Sequence, residues 1–486
     1  MYAFWYAFGI ATHLMKRNRA TGSEGGPRSV FGNRLFPGGI HPQEGLNGKS
    51  VNGGNAIIDM PAPARVIIPL SQHIGAPAKA LVKKGDHVLI GQEIAEAGGF
   101  VSAPIHASIS GTVDEIRPCT LASGVVSQAI VIENDFKDEW VSVTPASHPE
   151  TVSAKELQDI IRQAGIVGMG GATFPTSVKL TPGAGKTIEK LIINGAECEP
   201  FLTADHRLML EEPGRIIDGI HIMMAALNIP EAIIGVENNK KDAIAALEQA
   251  CRGTDGISVK ALPVRYPQGG EKQLVYAITR REVPNGGLPI DVGCVVCNVG
   301  TVFAIDQAVR EGRPLIDRIT TVGGMVSNPG NYRVRIGTPV SLLLEYCGGT
   351  LAGVRKILSG GPMMGMAIND LEVPVTKGTS GILALGDESL EPEESPCIRC
   401  GRCLRACPMK LPPYSMDVAI RHEQYEIAEK AGVMNCIECG ACTYVCPAKR
   451  RLTQSFRAGK KVITVRRKLA KARADAEAAA LASKEG

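Results

Sequence analysis

Eight cysteines near the C-terminal end repeat one spacing twice: Cys397-x2-Cys400-x2-Cys403-x3-Cys407-Pro408 and Cys436-x2-Cys439-x2-Cys442-x3-Cys446-Pro447. Two-residue gaps let three thiolates on one tight loop reach three corners of an iron–sulfur cube. The fourth cysteine, a turn away and followed by proline, faces the other cube in two-cluster ferredoxins. That logic assigns Cys397, Cys400, Cys403 and Cys446 to one [4Fe–4S] cluster. Cys436, Cys439, Cys442 and Cys407 go to the other. Gly401 and Gly440 leave room for backbone amides to point at cluster sulfides. Two structural zinc sites could use the same residues, but zinc sites seldom carry this spacing twice with both prolines. The repeat predicts one-electron transfer.

The other cysteines read as packing. Cys294 and Cys297 form a CxxC inside the apolar run DVGCVVCNVG, a buried strand in the making. Cys119, Cys198, Cys251 and Cys347 are expected to be non-ligands on the same grounds. Clustered thiolates are not a disulfide framework, and they point to a reducing compartment.

A hydride donor delivers two electrons, so single-electron clusters need an intermediary that splits the pair, and flavin does this. The stretch GIVGMGGATFPTSVK, residues 165–179, places Gly168, Gly170 and Gly171 where backbone N–H groups could converge on a phosphate, with Lys179 adding charge. It is neither a Walker loop nor a GxGxxG turn, and a plain turn would read the same way. Three later segments change the weighting: NGAECEP (194–200), YPQGGEKQL (266–274) and CVVCNVGT (294–301). All sit at expected strand ends in a β/α alternation, where open α/β sheets bind ligands. The helices between them include PGRIIDGIHIMMAALN and KKDAIAALEQAC.

The elements that must position these groups are bounded by composition. A chain of 486 residues suggests three or four domains, and 44% hydrophobic against 21% charged residues excludes a disordered chain. The net charge of +4 is uneven. Residues 449–473 hold eleven Lys or Arg and no acid, which leaves about −5 for residues 1–448. This helix-compatible tail is either a solvated extension or a contact for an acidic partner or anionic membrane surface. Nucleic acid is not expected, because no aromatic interleaving accompanies the charge. The apolar run MYAFWYAFGIATHLM is shorter than a membrane span and lacks signal-peptide flanks. It reads as an interfacial anchor or as translated sequence upstream of the working start, with the second favoured.

The order GxGGAxFPTxxK, N-x-x-E-x-E-P, Y-x-x-G-x-E-x-x-L and NVxT resembles the flavin-binding, NADH-oxidising subunit of respiratory complex I. With paired ferredoxin motifs behind it, the chain is similar to the C subunits of membrane-bound Rnf/Rsx electron transport complexes, from FPGGIHP (36–42) to about residue 455. The resemblance implies that Gly168, Gly170, Gly171 and Lys179 cradle FMN, and that Asn194, Asn298 and Thr301 hydrogen-bond the flavin. It implies close approach at Gly269, Glu197 and Glu199 in the nicotinamide site with Glu271 nearby, and Phe174 stacked on adenine. Met169, Thr173, Ala196 and Cys297 stand where the complex I pattern has Arg, Gly, an acidic residue and Asn.

Residues 62–132 look like a biotinyl/lipoyl-type barrel-sandwich domain, yet AGGFVSAP offers no lysine to modify, so the domain is expected to be structural. His73 and His106 lack ligand spacing. Residues 318–370 resemble a soluble-ligand-binding β-grasp domain, with PVSLLLEYCGG a helix closed by glycine and Met363, Met364 and Met366 as packing.

The expected class is multidomain α/β and α+β. Its parts are an extension (1–34), an N-terminal segment with the barrel-sandwich (35–135) and a Rossmann-like FMN/NADH domain (150–315). A β-grasp domain (316–385), a two-cluster ferredoxin-like domain (386–455) and a basic helical tail (456–486) follow. The resemblance implies an electron-input subunit on the cytoplasmic side of the inner membrane, peripheral. Its cofactors are two [4Fe–4S] clusters and FMN, its substrate is NAD(H), and its partners are ferredoxin-type and integral membrane subunits. A cobalamin reductase of the same plan and a non-catalytic relay stay open as alternatives.

Overall fold

A strand covered on both faces needs a continuous apolar run, and Val126–Asn134 supplies one at Ala129–Ile132. It pairs antiparallel with Arg65–Pro69 and Gly111–Thr120, and His87–Val88 completes a four-stranded sheet. A three-stranded sheet of Lys79–Ala80, Glu93–Glu96 and Ile105–His106 accompanies it. Val66, Ile68, Ile94, Ile105, Ile130 and Ile132 share their core. The structure is a computed structural model that describes residues 36–43, 48–143, 145, 151–181, 183, 185–389 and 392–485. The apolar run at 1–15 lies outside the described residues.

The next domain is a four-stranded parallel sheet in the order Ile257–Leu262, Ala232–Glu237, Lys190–Gly195, Cys294–Asn298. Ala232–Glu237 is buried at every position, as expected when helices cover both faces. Pro213–Leu227, Val299–Glu311 and Ala154–Gln163 pack on one face, and Glu271–Thr279 supplies the core on the other. Local chemistry sets the helix starts: Ser153 and Glu156 form a capping box, and Asn298 caps Val299–Glu311 through Gly300.

A six-stranded mixed sheet follows, ordered Ile58–Asp59, Gly330–Arg335, Asp317–Gly324, Gly381–Leu385, Lys356–Ser359, Met366–Ile368. The helix Val340–Tyr346 packs into its core through Val340, Leu343 and Leu344. The cysteine module is helical, and the tail is one 34-residue helix, Leu452–Glu485. Its first turns are not a solvated extension: Phe456 and Ile463 are buried with Ile420 in the module core. Among the described residues no helix is long and apolar enough to cross a membrane.

Two features tie the domains together. Lys377, fully buried, donates from Nζ to the carbonyls of Pro104 (2.8 Å) and Gly165 (2.7 Å), linking the mixed-sheet, barrel and parallel-sheet domains. The segment before the barrel is shared out: Ile40 bridges to Tyr266, Gly39 N–H donates to the Ala406 carbonyl, and Ile58–Asp59 edges the mixed sheet.

Candidate functional site

The carboxyl ends of Lys190–Gly195 and of its neighbour at the sheet edge, Cys294–Asn298, bring Asn194 and Asn298 level, paired in register. Asn194 Nδ2 donates to the Gly269 carbonyl (2.9 Å), which draws the YPQGG turn over the strand end. A Cβ at Gly269 would lie 2.3 Å from the Ala196 carbonyl, so only glycine allows that approach. Asn298 Nδ2 donates to Asp205 (2.6 Å), and Thr301 Oγ1 accepts from Met169 N–H (2.9 Å), fixing the glycine loop at the crevice. A Cβ at Gly170 would meet Asn298 at 2.9 Å, whereas Gly171 faces open space. Lys179 is drawn aside, donating to Glu271 (3.0 Å) and the Val296 carbonyl (3.1 Å). Phe174 is half-buried, with its carbonyl accepting from Gly168 N–H (2.9 Å).

The two glutamates diverge. Glu197 receives the backbone N–H groups of Asp205 (3.0 Å) and His206 (3.3 Å) at the start of Ala204–Glu211, where a carboxylate is favoured. Its carbonyl accepts from Lys240 Nζ (3.2 Å) and from Lys49 Nζ. Burial, then the nearby Lys240, pulls Lys49 below the ordinary lysine range. Glu199 accepts from Met363 N–H (3.1 Å) with the Tyr266 hydroxyl 3.3 Å away, and burial pushes its carboxyl up to about 7. Burial also raises Asp205, with repulsion from Glu197 adding to it.

The residues present fit two kinds of group. At the crevice, Gln268 is fully buried with neither amide atom hydrogen-bonded among the described residues, and Thr176 Oγ1 is equally unpartnered. Unsatisfied buried polar atoms beside a glycine cradle suit a polar ligand such as FMN. In the cysteine module, Cys407, Cys436, Cys439 and Cys442 line one cavity, so the fourth cysteine of the first motif joins three of the second. Cys403 in turn lies within the electrostatic reach of Cys446 and Cys397. Backbone N–H groups of Leu411, Glu438 and Arg399 already point at the sulfurs of Cys407, Cys436 and Cys397. Burial pushes the Cys439 thiol up to about 12, so a thiolate there calls for compensating positive charge, as an iron–sulfur cluster provides.

The remaining cysteines pack. Cys294, Cys297, Cys119 and Cys347 are buried in apolar cores. Cys198 sits at the crevice, accepting from Gly269 N–H, with its thiol pushed up to about 12 by burial. His106 is buried and held down to about 3, and His73 Nε2 accepts from Ala103 N–H.

Crevice and cysteine module meet at a residue given no role by sequence. The Tyr266 hydroxyl donates to the Cys439 carbonyl (2.7 Å) while lying 3.3 Å from Glu199. Met363 serves the same junction, its N–H on Glu199 and its carbonyl against Gly440. Lys49, Lys240 and Asp205 have no signal in the sequence because no local motif contains them, and Met363, expected only to pack, acts here through its backbone. Tyr266 stands inside a quoted motif, and its reach of 173 residues is a fact of tertiary structure.

Four family models match the chain: the Nuo51 FMN-binding domain over residues 161–307, the RnfC barrel sandwich hybrid domain over 34–137, an SLBB domain over 319–367 and a 4Fe-4S dicluster domain over 390–447. Among curated relatives, the C subunit of the proton-translocating ferredoxin:NAD(+) oxidoreductase complex of Clostridium ljungdahlii is 50% identical over 428 residues, 87% of this chain and 93% of that one. The C subunit of the Na(+)-translocating ferredoxin:NAD(+) oxidoreductase complex of Acetobacterium woodii is 44% identical over 89% of this chain and 98% of its own. That of the ion-translocating oxidoreductase complex of Rhodobacter capsulatus is 47% identical over 87% of this chain and 82% of its own. With an FMN-binding domain and a dicluster domain in one chain, and identity of this extent, the chain belongs to the C-subunit family of ion-translocating ferredoxin:NAD(+) oxidoreductase complexes.

Proposed function

We propose that the chain is the electron-input subunit of an ion-translocating complex, exchanging hydride with NAD(H) at the sheet's crevice and single electrons through the cysteine module. Bound FMN supplies the step between the two, accepting an electron pair and passing electrons on singly. The chain's residues bind and orient. Backbone N–H groups at Gly170 and Gly171 would hold the phosphate, joined by Lys179 from its place beside Glu271, while the Gly168 N–H stays on the Phe174 carbonyl and shapes the loop. Asn194, Asn298 and Thr301 would shape the flavin's seat by holding the YPQGG turn and the glycine loop in place. Glu197, Glu199 and Glu271 line the nicotinamide side, and Phe174 offers a stacking face. Hydride transfer needs positioning rather than an acid or base, so none is assigned.

The eight motif cysteines hold two [4Fe–4S] clusters in the crossed pattern. One observation carries the reading: a single side chain, Tyr266, touches both the Glu199 carboxylate and the backbone of cluster ligand Cys439. The parallel order of the crevice sheet supports a Rossmann-like reading, and the mixed sheet with its packed helix supports a β-grasp. We place the subunit peripherally on the cytoplasmic face of the membrane, in contact with integral and ferredoxin-type subunits. That placement accords with the lack of a spanning helix among the described residues and with the names of its relatives.

Anaerobic purification of the full chain tests this. About eight irons per chain, co-eluting FMN and bleaching of that FMN by NADH are expected. FMN that stays oxidised in excess NADH would refute the hydride role.

A further inference from the structure

The two cysteine motifs are copies, so each position in one has a counterpart in the other, and the counterparts differ in what covers them. In the second motif the outward positions are engaged within the chain, although Tyr444 keeps 45% of its surface exposed. Ile437 is partly covered, Ala441 is fully buried with Tyr266 and Ile40, and Tyr444 Oη accepts from Gln43 N–H. Glu438 is held by Arg457 and Lys460. That face is where the crevice's own domain docks.

In the first motif the same face is bare. Ile398, the counterpart of Ile437, is 68% exposed, Leu404 is 53% exposed, and Cys400 is exposed where its counterpart Cys439 is buried. The positions of Glu438, Ala441 and Tyr444 are taken by Arg399, Arg402 and Arg405, all exposed. Among the described residues no carboxylate pairs with any of the three. Arg399 lies over the Tyr414 ring, and Arg405 makes only a long contact to the Cys400 carbonyl.

From this we infer that the Ile398–Leu404 face is the exit port of the module, docking an acidic iron–sulfur protein that exchanges single electrons with it. The inference rests on the electron-transfer reading above. The internal copy shows what such a face does when covered: it presents a cluster loop to the neighbouring redox site. Exposed apolar residues ringed by arginines suit a partner with apolar residues ringed by carboxylates, and charge of this kind speeds encounter as well as holding it. Each transfer moves one electron between chain and partner, with no atom exchanged.

The test uses the full, cluster-loaded chain and an acidic two-[4Fe–4S] ferredoxin as probe. Binding is measured by biolayer interferometry across a salt series. The variant R399E/R402E/R405E should bind at least tenfold more weakly and lose the salt dependence, with iron content and visible spectrum unchanged. R399K/R402K/R405K should retain most of the affinity. A second charge reversal on the tail, K468E/K471E/R473E, should leave binding unchanged. Unchanged affinity in the loop variant, or loss in the tail variant alone, would overturn the assignment. So would loop-dependent binding to phosphatidylserine vesicles but not to the ferredoxin. Because binding is read without NADH, failure of flavin bleaching would sink the functional reading and leave this result standing.

Discussion

Replacing Tyr266 with phenylalanine tests the junction between crevice and cluster loop. The ring is buried and remains in place; what goes is one hydroxyl, which donates to the Cys439 carbonyl at 2.7 Å and approaches Glu199 at 3.3 Å. Burial pushes the Glu199 carboxyl up to about 7, while the Met363 N–H and the Tyr266 hydroxyl hold it down. The hydroxyl's one proton is shared between the Cys439 carbonyl and Glu199, so its hold on the carboxylate falls below the roughly 1.5–3 kcal/mol of a full hydrogen bond to a charged group, to about 1 kcal/mol. At about 1.4 kcal/mol per pH unit, Glu199 should then titrate ~0.7 unit higher. Single-turnover bleaching of FMN by NADH, followed in a stopped-flow instrument from pH 5.5 to 9, provides the readout. The parent chain should show a bend near pH 7, Y266F a bend moved upward, and E199Q no bend. The stranded Cys439 carbonyl should also slow the onward reduction of the clusters, seen by freeze-quench EPR. A flat profile in the parent, or a bend unmoved in Y266F, would refute this account of Glu199.

Cluster order gives a second outcome: C400S and C439S should each lose about four irons, but only C439S should prevent NADH from reducing the remaining cluster, as EPR would report. Alanine at Gly170 forces a Cβ to within 2.9 Å of the Asn298 amide, so FMN affinity should fall about tenfold in a flavin-fluorescence titration. Lys377 is held down to about 7 by burial. Below pH 7 both folded and unfolded chains keep its proton. Between 7 and 10.5 only the unfolded chain does, so stability rises with pH across that window by up to about 5 kcal/mol. The lowest calorimetric transition should climb between pH 7 and 9.5 in the parent and lose that slope in K377M.

The meeting of Cys407 with Cys436, Cys439 and Cys442 around one cavity was legible because it is written in spacing: identical intervals and two prolines leave little freedom. The strand ends carrying Asn194 and Asn298 were legible for a similar reason, since apolar runs closed by polar residues mark where a parallel sheet stops. What escaped was contact at long range. Lys49 reaches Glu197 across 148 residues, and Lys377 reaches Pro104 across 273. Neither has a local pattern, because a buried lysine satisfied by carbonyls looks like a surface lysine in sequence. The tail stayed open in composition, since eleven cations fit a solvated extension or a docking contact alike; Phe456 and Ile463, spaced seven apart, fix the start of its helix to the cluster module.

The strand of chain that precedes the barrel touches partners made hundreds of residues later: Gly39 meets Ala406, Ile40 meets Tyr266, and Gln43 meets Tyr444. A ribosome delivers that stretch first, so during synthesis it has nowhere to settle until almost the whole polypeptide has emerged. Its seat is built from the same loops that carry Cys407 and Cys439. Loss of iron should therefore loosen this strap, and limited proteolysis of C439S beside the parent chain would report it as earlier cleavage near residue 40.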